Sequence, residues 1–326
     1  MDDAWMSFGA QALHYFQRPH EAVCRTPIGG PAAWRGAAMR RRDDWLVSFT
    51  PAQVDELAAA VAGVRSRGLA MGDVRRADVS LPALVGPIAA WREQLRDGRG
   101  FVLLRGLPVG EWGDDDSALA YWILGQHLGR PGAQNPAGEL LGHVVDTGED
   151  AANPFVRRYR TAGDIAWHCD LADVVGLLCL RQAPGGGASR IVSSVAVYDE
   201  LLRRRPDLVE PLYEPIALDS RDEQRSGGPA WYPVPPCRYA DGRLRTFYHS
   251  DYFRSAERHA DAPRFNHELL DLYEAIAGEP ELYLDMELAP GDVQLLSNHS
   301  ILHARTAYED DPQLPRHLLR LWLSLE

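Results

Sequence analysis

Beyond about residue 140 the chain breaks into short apolar runs separated by Gly, Pro and Asp clusters, and this texture restricts the fold more than any other feature. Punctuation of that kind marks a sandwich or barrel of short strands. The strand candidates are Val174 to Leu180, Ile191-Val192, Leu282 to Leu288, Val293 to Leu296 and Leu318 to Leu325. Pro290-Gly291-Asp292 supplies a tight turn between two of them. Two helical patterns interrupt the strands, at Ala196 to Arg205 and at roughly Arg264 to Ile276. The stretch Pro229 to Phe253 is rich in aromatic, proline and basic residues and has no clear period. It reads as a lid insertion around 229–260, because long functional loops sit over the ends of such sheets.

The first hundred residues have a different period. Thr50-Pro51-Ala52-Gln53 offers an N-cap, a proline at the first helical position and a glutamine three residues after the cap. Val54, Leu57, Ala58, Val61 and Val64 then follow at helical spacing. A second helix is predicted around Ile88 to Leu95, stopped by Gly98 and Gly100, before the buried strand Phe101 to Leu104. A third is predicted around Ser117 to Leu128, with Asp114 to Asp116 at its positive amino end. The expected organisation is one domain over 1–326, in which helical residues 1–100 pack on a β core formed by 100–326.

Charge and cysteine content narrow the partners. The formal net charge is −12, from 34 basic and 46 acidic residues, and every basic residue is arginine. An acidic surface without a basic stripe repels phosphate backbones, so nucleic acid is not an expected partner. Met1-Asp2-Asp3 lacks the features of a secretory signal, and no apolar run is long enough to cross a bilayer. Cys24, Cys169, Cys179 and Cys237 show no CxxC spacing, which suits reduced thiols. These features predict a cytoplasmic protein with no membrane partner. Apolar faces here serve a core as readily as a homo-oligomer interface.

The chemistry is concentrated in Trp167-His168-Cys169-Asp170, just before the 174–180 strand. In an extended chain His168 and Asp170 point to one side while Cys169 faces the other. An imidazole and a carboxylate are two thirds of the 2-His-1-carboxylate triad that holds Fe(II) and leaves positions open. A third ligand is available in Ser297 to Arg305, where His299 and His303 have the same strand parity, and geometry alone does not choose between them. The separation, 303 − 168 = 135 residues, requires a fold that pairs distant strands. Downstream, Arg316 and Arg320 share a face of an alternating strand. Two buried guanidinium groups call for an anion, and a dicarboxylate fits them.

With these residues in order, the chain resembles the TauD/TfdA family of Fe(II)/2-oxoglutarate-dependent dioxygenases. The resemblance runs from about Gly100 to the carboxy terminus. It rests on Phe101 to Gly106, Trp167 to Asp170, Gly185 to Ser189, Asn298 to Arg305, and Pro315 to Leu323. It implies that His168, Asp170 and His303 bind iron, and it selects His303 over His299. It further implies that Arg316 grips the distal carboxylate of 2-oxoglutarate, that Arg320 lies near the C1 end, and that Ser189 assists at the distal carboxylate. The implied fold is mainly β with flanking helices, around a double-stranded β-helix, a distorted jelly roll. The implied chemistry consumes O2 and converts 2-oxoglutarate to succinate and CO2 while hydrogen is removed from a bound small molecule. A carboxylate at 170 favours hydroxylation, desaturation or epoxidation over halogenation.

Two other readings predict different behaviour. A β-sandwich binding protein with an inactive site would consume no oxygen, and a cupin-like metalloenzyme would use the metal without a keto acid. The primary substrate is not legible. Tyr232, Tyr248 and His249 are the expected substrate contacts, with Tyr248→Ala raising the substrate KM and sparing 2-oxoglutarate affinity.

Overall fold

The computed structural model describes residues 5–149, 157–221 and 228–325. The short apolar runs form two principal sheets. One has seven strands in the order β1 (Leu46–Ser48), β2 (Phe101–Arg105), β14 (Val293–Ser297), β6 (Val174–Arg181), β17 (His317–Ser324) and β3 (Arg130–Gly132), with β4 (Leu141–Val144) also paired to β17. The other has four: β13 (Leu284–Met286), β8 (Ser189–Ser193), β15 (Ile301–Arg305) and β5 (Ile165–His168). Three ribbons complete the strands: β9 (Ile216–Asp219) with β10 (Trp231–Val234), β11 (Cys237–Ala240) with β12 (Arg243–Thr246), and β7 (Gly185–Gly186) with β16 (Tyr308–Glu309). Among the described strands, every pairing except β1 with β2 is antiparallel.

Strand alternation sorts the apolar residues into layers. On β2, Phe101 and Leu103 pack between the sheets, with Ile191, Leu284 and Ile301 of the four-stranded sheet. Val102 and Leu104 point the other way, into a cluster with α3 (Pro51–Ser66), α4 (Val85–Arg96) and α5 (Val109–Leu128). On the far side, Val192 and Leu302 meet α6 (Ser194–Arg204) and α8 (His267–Ala277). The result is a mixed, sheet-rich architecture flanked by helices on both sides. One glycine in it is sterically fixed: a Cβ on Gly176 of β6 would lie 2.4 Å from the Tyr121 hydroxyl oxygen.

The predicted helices form where their signals stand. Thr50 and Gln53 make the reciprocal capping box at the start of α3, with bonds of 2.9 and 3.4 Å. The helix predicted at 117–128 is longer, but Gly113 breaks it at φ 75° and ψ 172°, leaving Asp114 to Asp116 at the amino end of the regular part. One expectation needs correction. The run Leu282 to Leu288 is a strand only over Leu284–Met286, because the backbone before it pairs with α2 (Gly36–Met39) instead: Gly36 N donates to Leu282 O and Ala37 N to Glu281 O. The aperiodic stretch 229–253 contains β10, β11, β12 and the start of α7 (Ser250–Ser255). Pro233, Pro235 and Pro236 obscure the strand pattern in the sequence.

Helix α1 (Phe8–Phe16) is tied to the sheets through one buried carboxylate. Asp173, 3% exposed, accepts from Arg18 and from the backbone N–H of Leu325 (2.8 Å), and it lies 2.9 Å from His14 Nε2 and 2.8 Å from His299 Nε2. Burial opposes its charge, but His14, His299 and Arg18 outweigh burial and hold the carboxyl well below the usual range. A carboxyl lowered in this way stabilises the fold above the unfolded value of about 4, and that contribution is lost as pH falls through the folded value. Asp173→Asn takes the carboxylate away from Arg18, so it is expected to cost about 3 kcal/mol. For a chain of this length the thermal midpoint then falls by about 4 °C near neutral pH. An unchanged midpoint would show that the clasp contributes nothing.

Candidate active site

The two histidines that are 135 residues apart in sequence become direct neighbours across a strand pair. In the antiparallel pairing of β15 with β5, His303 stands opposite His168, and facing residues of such a pair share one face at about 5 Å. The ring centroids are 4.0 Å apart. Asp170 lies in the turn just after β5 and brings its Oδ2 to 3.6 Å from His303 Nε2. One ligand atom from each of His168, Asp170 and His303 lies within 4.8 Å of the others, so the three could hold a metal ion.

The surroundings prepare these atoms for a cation. His168 Nδ1 lies 2.9 Å from the Ala166 carbonyl, which directs Nε2 toward the other two residues. Burial, followed by the charge of His168, lowers the His303 imidazole to about 3, so it is neutral at neutral pH. Burial opposes charge on Asp170, yet Arg320 and the two imidazoles keep that carboxyl below its usual value. Asp170 Oδ2 is nevertheless enclosed without a hydrogen-bond partner. A buried anionic oxygen in that position is costly unless a cation meets it. The donor set, two imidazoles and one carboxylate, suits a divalent iron with open positions.

Neighbouring residues give His299 and Cys169 different surroundings. His299 is in the Asp173 clasp and stacks on Tyr15 at 4.5 Å, away from His303. Cys169 is buried with its Sγ 3.5 Å from the Ile301 carbonyl, and burial raises its thiol far above the ordinary value. Asn298 braces the turn: its Oδ1 accepts from Asp170 N (3.0 Å), and its Nδ2 donates to Ala172 O (2.9 Å).

The arginines occupy two places. Arg320 donates from Nε to Gln134 Oε1 (2.6 Å) and from Nη1 to Asp170 Oδ1 (3.4 Å), and it packs over Tyr159. Arg316 is 5% exposed, and its guanidinium lies 5.0 Å from the Tyr308 ring, with Arg305 4.8 Å from the same ring. Arg305 Nε and Nη1, Tyr308 Oη and Arg316 Nη1 are all enclosed without partners. Burial, then repulsion from Arg316, pulls Arg305 down to about 10. Two buried cations around unpartnered donors constitute an anion cradle. Ser189, directly opposite Arg305 on β8, donates to Gln294 Oε1 at 3.1 Å. Asn298 and Arg305 stand in sequence only as parts of the Asn298 to Arg305 segment, and Tyr308 and Gln134 carry no sequence signal. Only the shared parity of Arg305 with His303 signals its participation.

A cavity of about 960 Å³ opens onto His168, Asp170 and Arg320. Tyr232 and His249 line it, as expected for substrate contacts. Tyr248 does not, contrary to its expected role in substrate affinity. It is 0% exposed, donates to Glu274 Oε1 (2.8 Å) and stacks on Tyr273 at 4.8 Å, so it belongs to the core. Composition marks the segment as aromatic but does not give the direction of each ring.

Residues 65–322 match the family described as taurine catabolism dioxygenase TauD, TfdA family. The chain belongs to that family. It is 31% identical over 312 residues to FR-33289 synthase of Streptomyces rubellomurinus (strain ATCC 31215), covering 93% of this chain and 92% of that one. Its fold is similar to asparagine oxygenase solved with Fe(II), 2S,3S-3-hydroxyasparagine and succinate, with a TM-score of 0.69 at 18% identity, covering 86% and 93% of the two chains. It is also similar to the non-heme iron oxygenase OrfP in complex with Fe and alpha-ketoglutaric acid, with a TM-score of 0.63 at 15% identity over 86% and 94% of the chains. This TauD/TfdA member is an Fe(II)- and 2-oxoglutarate-dependent dioxygenase that oxidises a small molecule with release of succinate and CO2. Among its described residues, no helix is long and apolar enough to cross a membrane.

Proposed function

We propose that His168, Asp170 and His303 are the iron ligands and that Arg316, with Arg305 and Tyr308, binds the distal carboxylate of 2-oxoglutarate. The observation that carries the first assignment is the cross-strand pairing of His303 with His168 beside the unpartnered Asp170 Oδ2. The second rests on the enclosed, unpartnered donors of Arg305, Tyr308 and Arg316. Iron held by His168, Asp170 and His303 would supply the redox chemistry of an oxidation coupled to 2-oxoglutarate. The protein's own residues do the positioning. Arg320 orients Asp170 and stands at the C1 end, the Ala166 carbonyl fixes the His168 ring, and Ser189 borders the distal end through Gln294. Asp170 favours hydroxylation, desaturation or epoxidation.

The fold we assign is a double-stranded β-helix within one domain over 1–326, supported by two sheets, antiparallel apart from β1 with β2, packed face to face through Phe101, Leu103, Ile191 and Ile301. Residues 229–260 act as the lid, a reading supported by Tyr232, Val234, Arg238, Phe247 and His249 along the cavity wall. The partner is a small molecule rather than nucleic acid or membrane, and the protein is cytoplasmic. The test is to add Fe(II) and then 2-oxoglutarate to the protein without oxygen and record the visible spectrum. A weak charge-transfer band is expected from keto acid chelated to ferrous iron. Iron binding without a band would refute the 2-oxoglutarate assignment, and no iron binding would refute the triad.

A further inference from the structure

The cavity beside the triad carries more positive charge than its own acids neutralise. Among the described residues its wall contains five arginines, at 157, 158, 221, 238 and 320, and three aspartates, at 170, 219 and 251. Each aspartate is engaged. Asp170 faces Arg320 at 3.4 Å, Asp251 lies 3.6 Å from Arg158, and Asp219 accepts from Arg258 at 3.0 and 3.1 Å. Arg157 donates to the Gln134 carbonyl at 3.2 Å. Arg221 and Arg238 meet no acid among the described residues, in a chain whose net charge is −12.

Arg221 is the more exacting of the two. It is 7% exposed, its guanidinium lies 4.3 Å from the Tyr252 ring, and its Nε is enclosed without a partner. Its backbone is held in the left-handed region at φ 51°, with its N–H donating to Asp219 Oδ1 at 2.9 Å. It lines the same cavity as His249, whose ring centroid is 5.1 Å from that of His168. A buried guanidinium with an unused donor, facing a cavity, is costly without an anion. The same cavity also has an apolar lining: Phe8, Leu13 and Phe16 of α1 line it, and the lining residues Trp5, Leu13 and Tyr232 are exposed.

We propose that Arg221 is the specificity-determining residue of this oxygenase, holding an oxyanion group of a primary substrate whose apolar portion lies along α1. Arg238 assists from β11. The proposal rests on the iron and 2-oxoglutarate reading above, since the anion must bind in addition to the cosubstrate. Because 2-oxoglutarate is itself an anion, the experiment fills its site first. Protein loaded without oxygen with Fe(II) and saturating 2-oxoglutarate is titrated calorimetrically with pentanoate, butylsulfonate, butylphosphonate and the neutral pentanamide, while the charge-transfer band is followed.

At least one anion is expected to bind while the band persists, and the amide is expected not to. Arg221→Gln should weaken that binding by about tenfold to a hundredfold, as loss of a charged hydrogen bond does. Arg221→Lys should recover part of it, and Arg238→Gln should cost less than Arg221→Gln. The band in each variant reports that its site still assembles. Which anion binds most tightly distinguishes carboxylate, sulfonate and phosphonate substrates. Binding of the amide as tightly as the anions, failure of every anion to bind, or equal affinity in wild type and Arg221→Gln would overturn the proposal. Failure of the band to form in wild type would instead overturn the iron and keto-acid reading.

Discussion

His303→Ala is expected to lose iron and, with it, succinate production. The imidazole is one of three donors, it is buried, and it lies opposite His168 across a strand pair. Losing a residue that merely supports a ligand typically costs ten- to a hundredfold in metal affinity or activity, so losing the ligand itself should exceed about a hundredfold. Equilibrium dialysis against Fe(II), with succinate measured in parallel, checks both quantities. His299→Ala is the matched comparison, because its imidazole serves Asp173 and stacks on Tyr15. That variant should retain iron and lose thermal stability. Iron retained in His303→Ala but lost in His299→Ala would reverse the ligand assignment.

Arg316→Leu is expected to separate cosubstrate affinity from stability. If Arg316 grips the distal carboxylate of 2-oxoglutarate, its loss should raise the KM for 2-oxoglutarate by about a hundredfold, the worth of a strong charge-assisted pair. The folded protein should not suffer in parallel. In the absence of an anion Arg316 is buried beside Arg305, and burial already lowers both guanidinium groups below their ordinary values. Replacing an uncompensated buried charge by an apolar group of similar reach is often neutral or stabilising. The thermal midpoint without cosubstrate should therefore hold or rise while the KM rises. Steady-state kinetics and a melting scan on one preparation give both readouts. An unchanged KM would remove Arg316 from the cosubstrate site.

The site was partly legible because some of its chemistry is local. His168 and Asp170 sit two residues apart, and that spacing by itself brings an imidazole and a carboxylate together. The proposed third ligand is different, since His299 and His303 have the same parity. The distinction depends on which of them lies on β15 opposite β5, a matter of pairing between distant segments. Arg305 shows the same limit. Its meaning comes from Tyr308 and Arg316 folding around it, and none of the three announces that contact in sequence. Long runs such as Val174 to Leu180 gave their strands readily, because alternation between two packed faces leaves an apolar signature. The ribbons of 231–246 did not, since prolines and half-buried side chains blur their period. Tyr248 was misplaced because an aromatic residue looks the same in sequence whether it faces a cavity or a core.

The opposed pair on β5 and β15 makes the proposed metal centre the heir of a purely apolar decision. β15 is held on its other side by five consecutive pairings with β8, from Ile301 with Ser193 to Arg305 with Ser189. Its phase is set by Ile301 turning toward the space between the sheets and Leu302 toward the helices. A slip of one residue would exchange those two side chains between opposite environments and carry His303 to the wrong face in the same movement. The fidelity of the proposed redox centre is thus enforced by two aliphatic residues with no chemistry of their own. Mutational drift at either position would register first as a protein that folds but no longer captures its metal.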